Sequence, residues 1–321
     1  MQSSPVDTVS RRDFIRASLA ASTLMATGAA AAPTLKSKGE KLAAELFRSL
    51  SEEQRKELCF AFDHKLRQRV ENNWRITKTL DKSLSADQID LAKQIYTAIH
   101  SDEFAADAMK QFVQDNDLKF DKGSVAFFGT PDSGRFEYVF TGRHTTRRLD
   151  GNSVAGAAFG GPIFYGHAAH SFYEKKDHRD NVYWFQAVRA NELFTMLNGK
   201  QRESALEERG RKEQSNKTVA LRGAGADLPG LAFGDLTADQ KGHVNKVLAD
   251  LLKPFRKEDR DEALKLINAS GFDRHHIAFF KHGDIGEDRV WDVWQIEGPS
   301  MVWYFRGEPH VHTWVHIRDR A

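Results

Sequence analysis

The sequence predicts an α+β fold built as two tandem copies of one unit, helices followed by an antiparallel meander, with the meanders joined in one sheet or facing each other. Three observations lead there. The first is an internal match. Ala43, Glu45-Leu46-Phe47, Leu50 and Gln54-Arg55 recur as Ala190, Glu192-Leu193-Phe194, Leu197 and Gln201-Arg202, a shift of 147. Ala86-Asp87-Gln88 then recurs as Ala238-Asp239-Gln240, and Ala126-Phe127-Phe128 as Ala278-Phe279-Phe280, both shifted by 152. Matches in the same order at near-constant spacing mark a duplication. The copies would span 36–180 and 181–321, behind a leader at 1–31. The second observation is helical spacing of apolar residues early in a copy, as at Leu42, Leu46, Phe47 and Leu50. The third is period-two alternation late in each copy, at Phe136–Phe140 and Trp291–Ile296.

The elements follow in chain order. Residues 1–31 carry Ser10-Arg11-Arg12-Asp13-Phe14-Ile15-Arg16, the twin-arginine signal pattern, then a weakly apolar run and the small residues Ala29-Ala30-Ala31. Cleavage is expected before Ala32, with export by the twin-arginine translocase and a periplasmic or secreted product. The alternative is that the leader is retained as an anchor. No later segment is long enough for a permanent membrane span. The link at 56–76 is charged and is predicted helical, and the lone Cys59 falls in its apolar pattern as a packing residue. Ser85 and Thr237 are expected to cap the helices that follow them. The second link, from about Glu203 to Gly234, is polar and Gly-rich and is predicted to be a surface loop. Asp150-Gly151-Asn152 and Arg306-Gly307-Glu308-Pro309 supply turn chemistry between neighbouring strands.

Composition excludes several classes. With 321 residues and 40% hydrophobic content the chain can bury a sizeable core, which rules out wholesale disorder. Lys and Arg outnumber Asp and Glu by 47 to 45, no electrostatic footprint for nucleic acid. A single Cys forbids an intramolecular disulfide and any Cys-rich metal site. Nucleophile-elbow, phosphate-loop and His-Glu-x-x-His motifs are absent. Gly156–Gly161 lies in or after a strand of small residues and suits close backbone packing at least as well as a ligand. Arg147-Arg148 reads as a small solvated patch. The aromatic set Trp291, Trp294, Trp303, Tyr304 and Trp314 reads chiefly as sheet core, with a sugar-stacking platform as the alternative.

Histidine placement carries the most chemistry. On the terminal strand, alternation puts His310, His312, Trp314, His316 and Arg318 on one face and Val311, Thr313, Val315 and Ile317 on a core face. Two imidazoles two residues apart on a strand can reach one ion, with a third ligand from a neighbouring strand. His144, after the Gly142-Arg143 turn, is one candidate for that third ligand. His167 and His170 are others, their geometry left open by Gly160-Gly161-Pro162. At most one of His275 and His276 could join, and His64, His100, His178 and His243 read as surface residues. Asp319 or Glu308 would orient a ring. The competing readings are a solvated polar strand face and histidines that bind substrate without metal.

The Gly142-Arg143-His144 turn, the Phe159-Gly160-Gly161-Pro162 stretch, the Ser49–Arg55 helix start with its counterpart Leu197–Arg202, and His310-Val311-His312-Thr313 with Arg318-Asp319 resemble an uncharacterised bacterial family, domain of unknown function 3500. The likeness spans nearly the whole chain after the leader. Arg143 stands where that family has a first His, and two extra residues separate the His pair from Arg318-Asp319. The resemblance implies a joint site at His144, His310 and His312, with Arg318 and Asp319 behind it, and no particular reaction. The functional expectation is an exported protein that holds copper, iron or zinc through histidines, with a metal-dependent enzyme as its extension; its small-molecule ligand is unknown. The rival expectation is a non-catalytic periplasmic ligand-binding or scaffold protein with an aromatic-rich sheet.

Overall fold

The computed structural model describes residues 35–132, 134–168, 182–284 and 290–319. The leader, His170 and His178 lie outside these residues. Helix starts are written in local chemistry. Ser37 opens α1 (Lys38–Ser49), Ser51 opens α2 (Glu52–Leu58) and Ser85 opens α4 (Ala86–Ala98), after the single turn α3 (Leu80–Ser83). α5 spans Ala105–Asp115 and α6 Trp184–Met196. Asn198 then opens α7 (Gly199–Ala205) and Thr237 opens α8 (Ala238–Leu252), before α9 (Lys257–Ala269). At Ser37, Ser51, Ser85, Asn198 and Thr237 the cap accepts from the third helical residue's N–H. That residue, Glu40 in α1 and a Gln in the other four, reaches back to the cap, so two orphan donors are satisfied at each end. The Gln side chains also tie helix to helix. Gln54 Nε2 donates to Gln88 Oε1 at 2.7 Å and Gln201 Nε2 to Gln240 Oε1 at 3.0 Å. Gln88 Nε2 donates to Ser49 O, and Gln240 Nε2 to Met196 O, each at 2.9 Å.

The strands are β1 (Cys59–Phe60), β2 (Ser124–Gly129), β3 (Phe136–Gly142), β4 (Thr145–Leu149), β5 (Ile163–His167), β6 (Leu206–Glu207), β7 (Leu231–Ala232), β8 (His276–Phe280), β9 (Val293–Glu297), β10 (Met301–Arg306) and β11 (Val311–Ile317). They form one mixed sheet in the order β1-β2-β3-β4-β5-β11-β10-β9-β8-β6, with β7 beside β8. The meanders therefore join edge to edge, through the antiparallel β5–β11 pair. The order reads the same from either edge, with a parallel two-residue strand at each outer position.

Alternation divides the sheet between two cores. Val125, Phe127, Tyr138, Tyr165, Trp294, Trp303 and Val315 face the helices. Phe164, Val302, Tyr304 and Trp314 face the other way, against Val70 and Val219. Ala126, Phe128 and Val139 pack there against Ile76, Phe62 and Trp74. This second cover corrects the reading of 56–76. The helix ends at Leu58, Cys59-Phe60 pairs with β2, and the rest is a loop with a short 3₁₀ turn at Lys65–Gln68. The later polar loop covers the same face rather than standing off in solvent. Each cover is pinned by a buried glutamate: Glu137 takes Arg67 at 2.8 Å and Arg148, and Glu297 takes Arg211. Arg147 and Arg148 are buried, not solvated, because both faces of the sheet are covered. His100 and His243 are buried too, and His64 is half-buried against Phe60 and Phe128. Gly156–Gly161 is a loop with a short 3₁₀ turn, not a strand. The buried Trp294, Trp303 and Trp314 leave no stacked Trp platform on an exposed face among the described residues. No helix among them is long and apolar enough to cross a membrane.

Candidate metal centre

One rim of the sheet gathers the β3–β4 turn, the end of β5 and the β10–β11 turn. His144 sits in the two-residue β3–β4 turn itself, at φ +56°, with its N–H donating to Asn72 O at 2.7 Å. A non-glycine residue in that region costs on the order of 1 kcal/mol or more, a strain that surrounding contacts must hold. Here it aims the ring inward, and His144 is 4% exposed. His310 ends the β10–β11 turn and His312 lies in β11, opposite Gly166 of β5. A Cβ on Gly166 would lie 2.2 Å from Val311 O, so only glycine lets the two strands pair this closely.

The three rings converge. His310 Nε2 lies 2.9 Å from His312 Nε2 and 3.1 Å from His144 Nε2. All three candidate ligand atoms lie within 4.8 Å of one another, and this is the one such group among the described residues. Phe164 meets the His312 ring edge-on at 5.1 Å and gives the cluster an apolar wall.

The far nitrogens explain the orientation. His312 Nδ1 is 2.7 Å from Glu213 Oε2, whose other oxygen is 2.7 Å from Arg306 Nε. His144 Nδ1 is 3.0 Å from Asp115 Oδ2, at the end of α5. His167 Nδ1 reaches that same oxygen at 3.2 Å, Gln111 Nε2 donates to it at 2.9 Å, and Ala168 N–H donates to Oδ1 at 3.1 Å. Burial would raise the Asp115 carboxyl, but its bonds to His144 and His167 hold it well below the ordinary range. Glu213 is lowered in the same way, against its burial, by His312 and Arg306. Burial, then the neighbouring His312 and His144, push His310 down to about 3. Burial outweighs Glu213 and brings His312 to about 4. Both rings are therefore neutral at neutral pH. With the Nδ1 hydrogen of His312 directed at Glu213 and His144 Nδ1 beside Asp115, the Nε2 atoms of both rings are left facing the common point.

The arrangement fits a metal ion. Tetrahedral bonds of about 2.0–2.1 Å put ligand nitrogens about 3.3 Å apart, close to the 2.9 and 3.1 Å that separate His310 from His312 and from His144. A carboxylate behind a ligating imidazole is the usual outer partner.

Of the residues singled out in the sequence, His144, His310 and His312 come together. His167 stands behind His144, on Asp115, rather than beside the Nε2 atoms. His316, Arg318 and Asp319 are at the opposite end of β11, where Arg318 N–H donates to Ser300 O and Asp319 N–H to Gly156 O. They cannot orient these rings, since six residues of strand span about 20 Å. The orienting carboxylates are Asp115 and Glu213, not Asp319 or Glu308. His275 and His276 turn to backbone carbonyls elsewhere. Sequence reasoning missed both carboxylates. Asp115 left one trace, an acid in the last turn of a helix, where the dipole disfavours it. Glu213 left none.

No curated protein and no solved structure matches the chain. A family described as protein of unknown function (DUF3500) matches residues 35–320, and the chain belongs to it.

Proposed function

We propose that this chain is an exported metal-binding protein whose ion is held by His144, His310 and His312. The observation that carries the reading is the convergence of three Nε2 atoms, with the far sides of two of the rings turned to the carboxylates of Asp115 and Glu213. Neutral imidazoles without thiolates suit a borderline ion: copper, iron or zinc. A ligand set of three imidazoles leaves further positions open, which extends the proposal to a metal-dependent enzyme. Bound there, the ion would supply Lewis acidity or, if it is copper or iron, redox chemistry. The protein's own part is to aim the rings, through Asp115 and Glu213, and to keep His310 and His312 neutral, through burial. The twin-arginine pattern at Arg11-Arg12 supports export after folding, a route that suits a site loaded in the cytoplasm. The palindromic strand order and the paired Gln54–Gln88 and Gln201–Gln240 contacts support an origin by duplication.

Metal analysis of untagged protein purified from the exported fraction tests the reading, alongside the H312A variant. Stoichiometric metal in the parent and its loss in the variant are expected, with a melting temperature that depends on metal only in the parent. Metal-free parent protein that also fails to take up copper, iron or zinc would favour a non-catalytic ligand-binding or scaffold role. Replacing Arg11 and Arg12 by Lys should trap the chain in the cytoplasm, and unimpaired export would refute the twin-arginine route.

A further inference from the structure

At the other end of β11 a cavity of about 140 Å³ opens between Gln68 and Pro162, the loop residues Val219 and Leu221, and the side chains of His316 and Arg318. It is independent of the imidazole cluster. The buried arginines nearby are balanced: Arg148 and Arg67 share Glu137. Arg318 is not. Among the described residues its side chain meets no hydrogen-bond acceptor or carboxylate, and its Nε is shut off from solvent without a partner. Arg318 is itself half-buried, so an acceptor entering the cavity would meet its Nη groups rather than the enclosed Nε.

His316 supplies a different group. Its Nδ1 is 3.2 Å from Val219 O, so Nδ1–H donates there and Nε2 is left as an acceptor without a described partner. Burial, with Arg318 and Arg148 nearby, lowers this ring to about 4 and keeps it neutral. His316 and Arg318 are two residues apart on one face of an extended segment, about 6.5 Å along the chain. The cavity thus presents a cationic fork, one neutral imidazole acceptor, the amides of Gln68 and Asn216, the latter already bonded to backbone, and apolar walls at Pro162, Val219 and Leu221. No carboxylate lines it. Its volume is close to the roughly 150 Å³ that admits a six-carbon ring, and so suits a ligand of about six heavy atoms.

We propose that this cavity binds a short 2-hydroxycarboxylate, its carboxylate on Arg318, its hydroxyl donating to His316 Nε2 and its carbon chain against Pro162, Val219 and Leu221. A bare inorganic anion would leave the acceptor and the apolar walls unused.

Titrating the full chain with lactate, propionate and inorganic phosphate, by calorimetry or by chemical-shift perturbation, tests the assignment. Lactate should bind, and propionate, which lacks only the hydroxyl, should bind at least about tenfold more weakly. R318Q should abolish lactate binding, and H316F should reduce it to the propionate level. L221W, which fills the cavity while leaving both polar side chains unchanged, should block lactate even if R318Q folds poorly. No lactate binding, or lactate binding unchanged in both R318Q and L221W, would overturn the proposal. Phosphate binding tighter than lactate would overturn the ligand class.

Discussion

The carboxylates behind the imidazoles offer the sharpest test of the metal centre, because they can be changed without touching a candidate ligand. In E213Q the amide oxygen can still accept from His312 Nδ1, while the amide nitrogen takes the place of the oxygen 2.7 Å from Arg306 Nε. The Arg306–Glu213 pair is partly exposed, so its loss should cost little by itself. What remains is the weaker basicity given to His312, and affinity should fall about tenfold, or 1.4 kcal/mol. D115N is harsher. Both carboxylate oxygens of Asp115 receive donors, from Gln111 and His167 on one and Ala168 N–H on the other, with His144 Nδ1 at 3.0 Å. An amide must turn its NH₂ toward one set of them, and affinity should fall about a hundredfold, or 2.7 kcal/mol. Competition against a chromophoric chelator, with zinc or cobalt at neutral pH, reads both numbers. D319N, at the far end of β11, should bind like the parent. If E213Q and D115N also bind like the parent, these carboxylates do not orient metal ligands, and the reasoning fails.

Other consequences are simpler. G166A should destabilise the fold by about 1–3 kcal/mol and weaken metal binding, since its Cβ meets Val311 O and spreads β5 from β11; chemical denaturation and the chelator assay check both. His100 is lowered to about 3 by burial, then by Arg147, so between pH 6.5 and about 3 only the unfolded chain protonates it. Its contribution is intact above pH 6.5 and lost as pH falls, by up to about 1.4 kcal/mol per pH unit; denaturation at pH 7 and pH 5 should show H100N losing less than the parent. S85A and T237A each remove one cap and should each cost about 1 kcal/mol in urea unfolding. Markedly unequal costs would show that the two caps are not equivalent.

What was legible in the sequence was what short-range chemistry decides. A Ser or Thr three residues before Gln specifies a capping box whatever surrounds it, and Ser85 and Thr237 are capped as read. Period-two alternation aligned His310 with His312, because two residues of extended chain return a side chain to the same side. The covers were not legible. Cys59-Phe60 continues a charged helical pattern, and only its pairing with Phe127-Phe128 makes it a strand. Arg147 and Arg148 look like surface residues until the sheet is known to be covered on both faces. Arg147 then donates to His100 Nε2 and Phe164 O among the helices, and Arg148 to Pro162 O under the loops.

The same geometry explains why the imidazoles could be read and their carboxylates could not. His310 and His312 are neighbours in sequence, and His144 marks a turn of the adjoining meander. Asp115 and Glu213 reach the rim from opposite layers, one from the end of α5 among the helices and the other from the loop that covers the second face. Neither is near a candidate histidine ligand in sequence: 29 residues separate Asp115 from His144, and 99 separate Glu213 from His312. Their placement depends on how both layers dock, which Glu297 secures on the loop side by holding Arg211, two residues before Glu213. Ligands carried by one sheet can be inferred from strand periodicity. The partners that tune them come from whatever packs on the sheet, and only the packed structure identifies those.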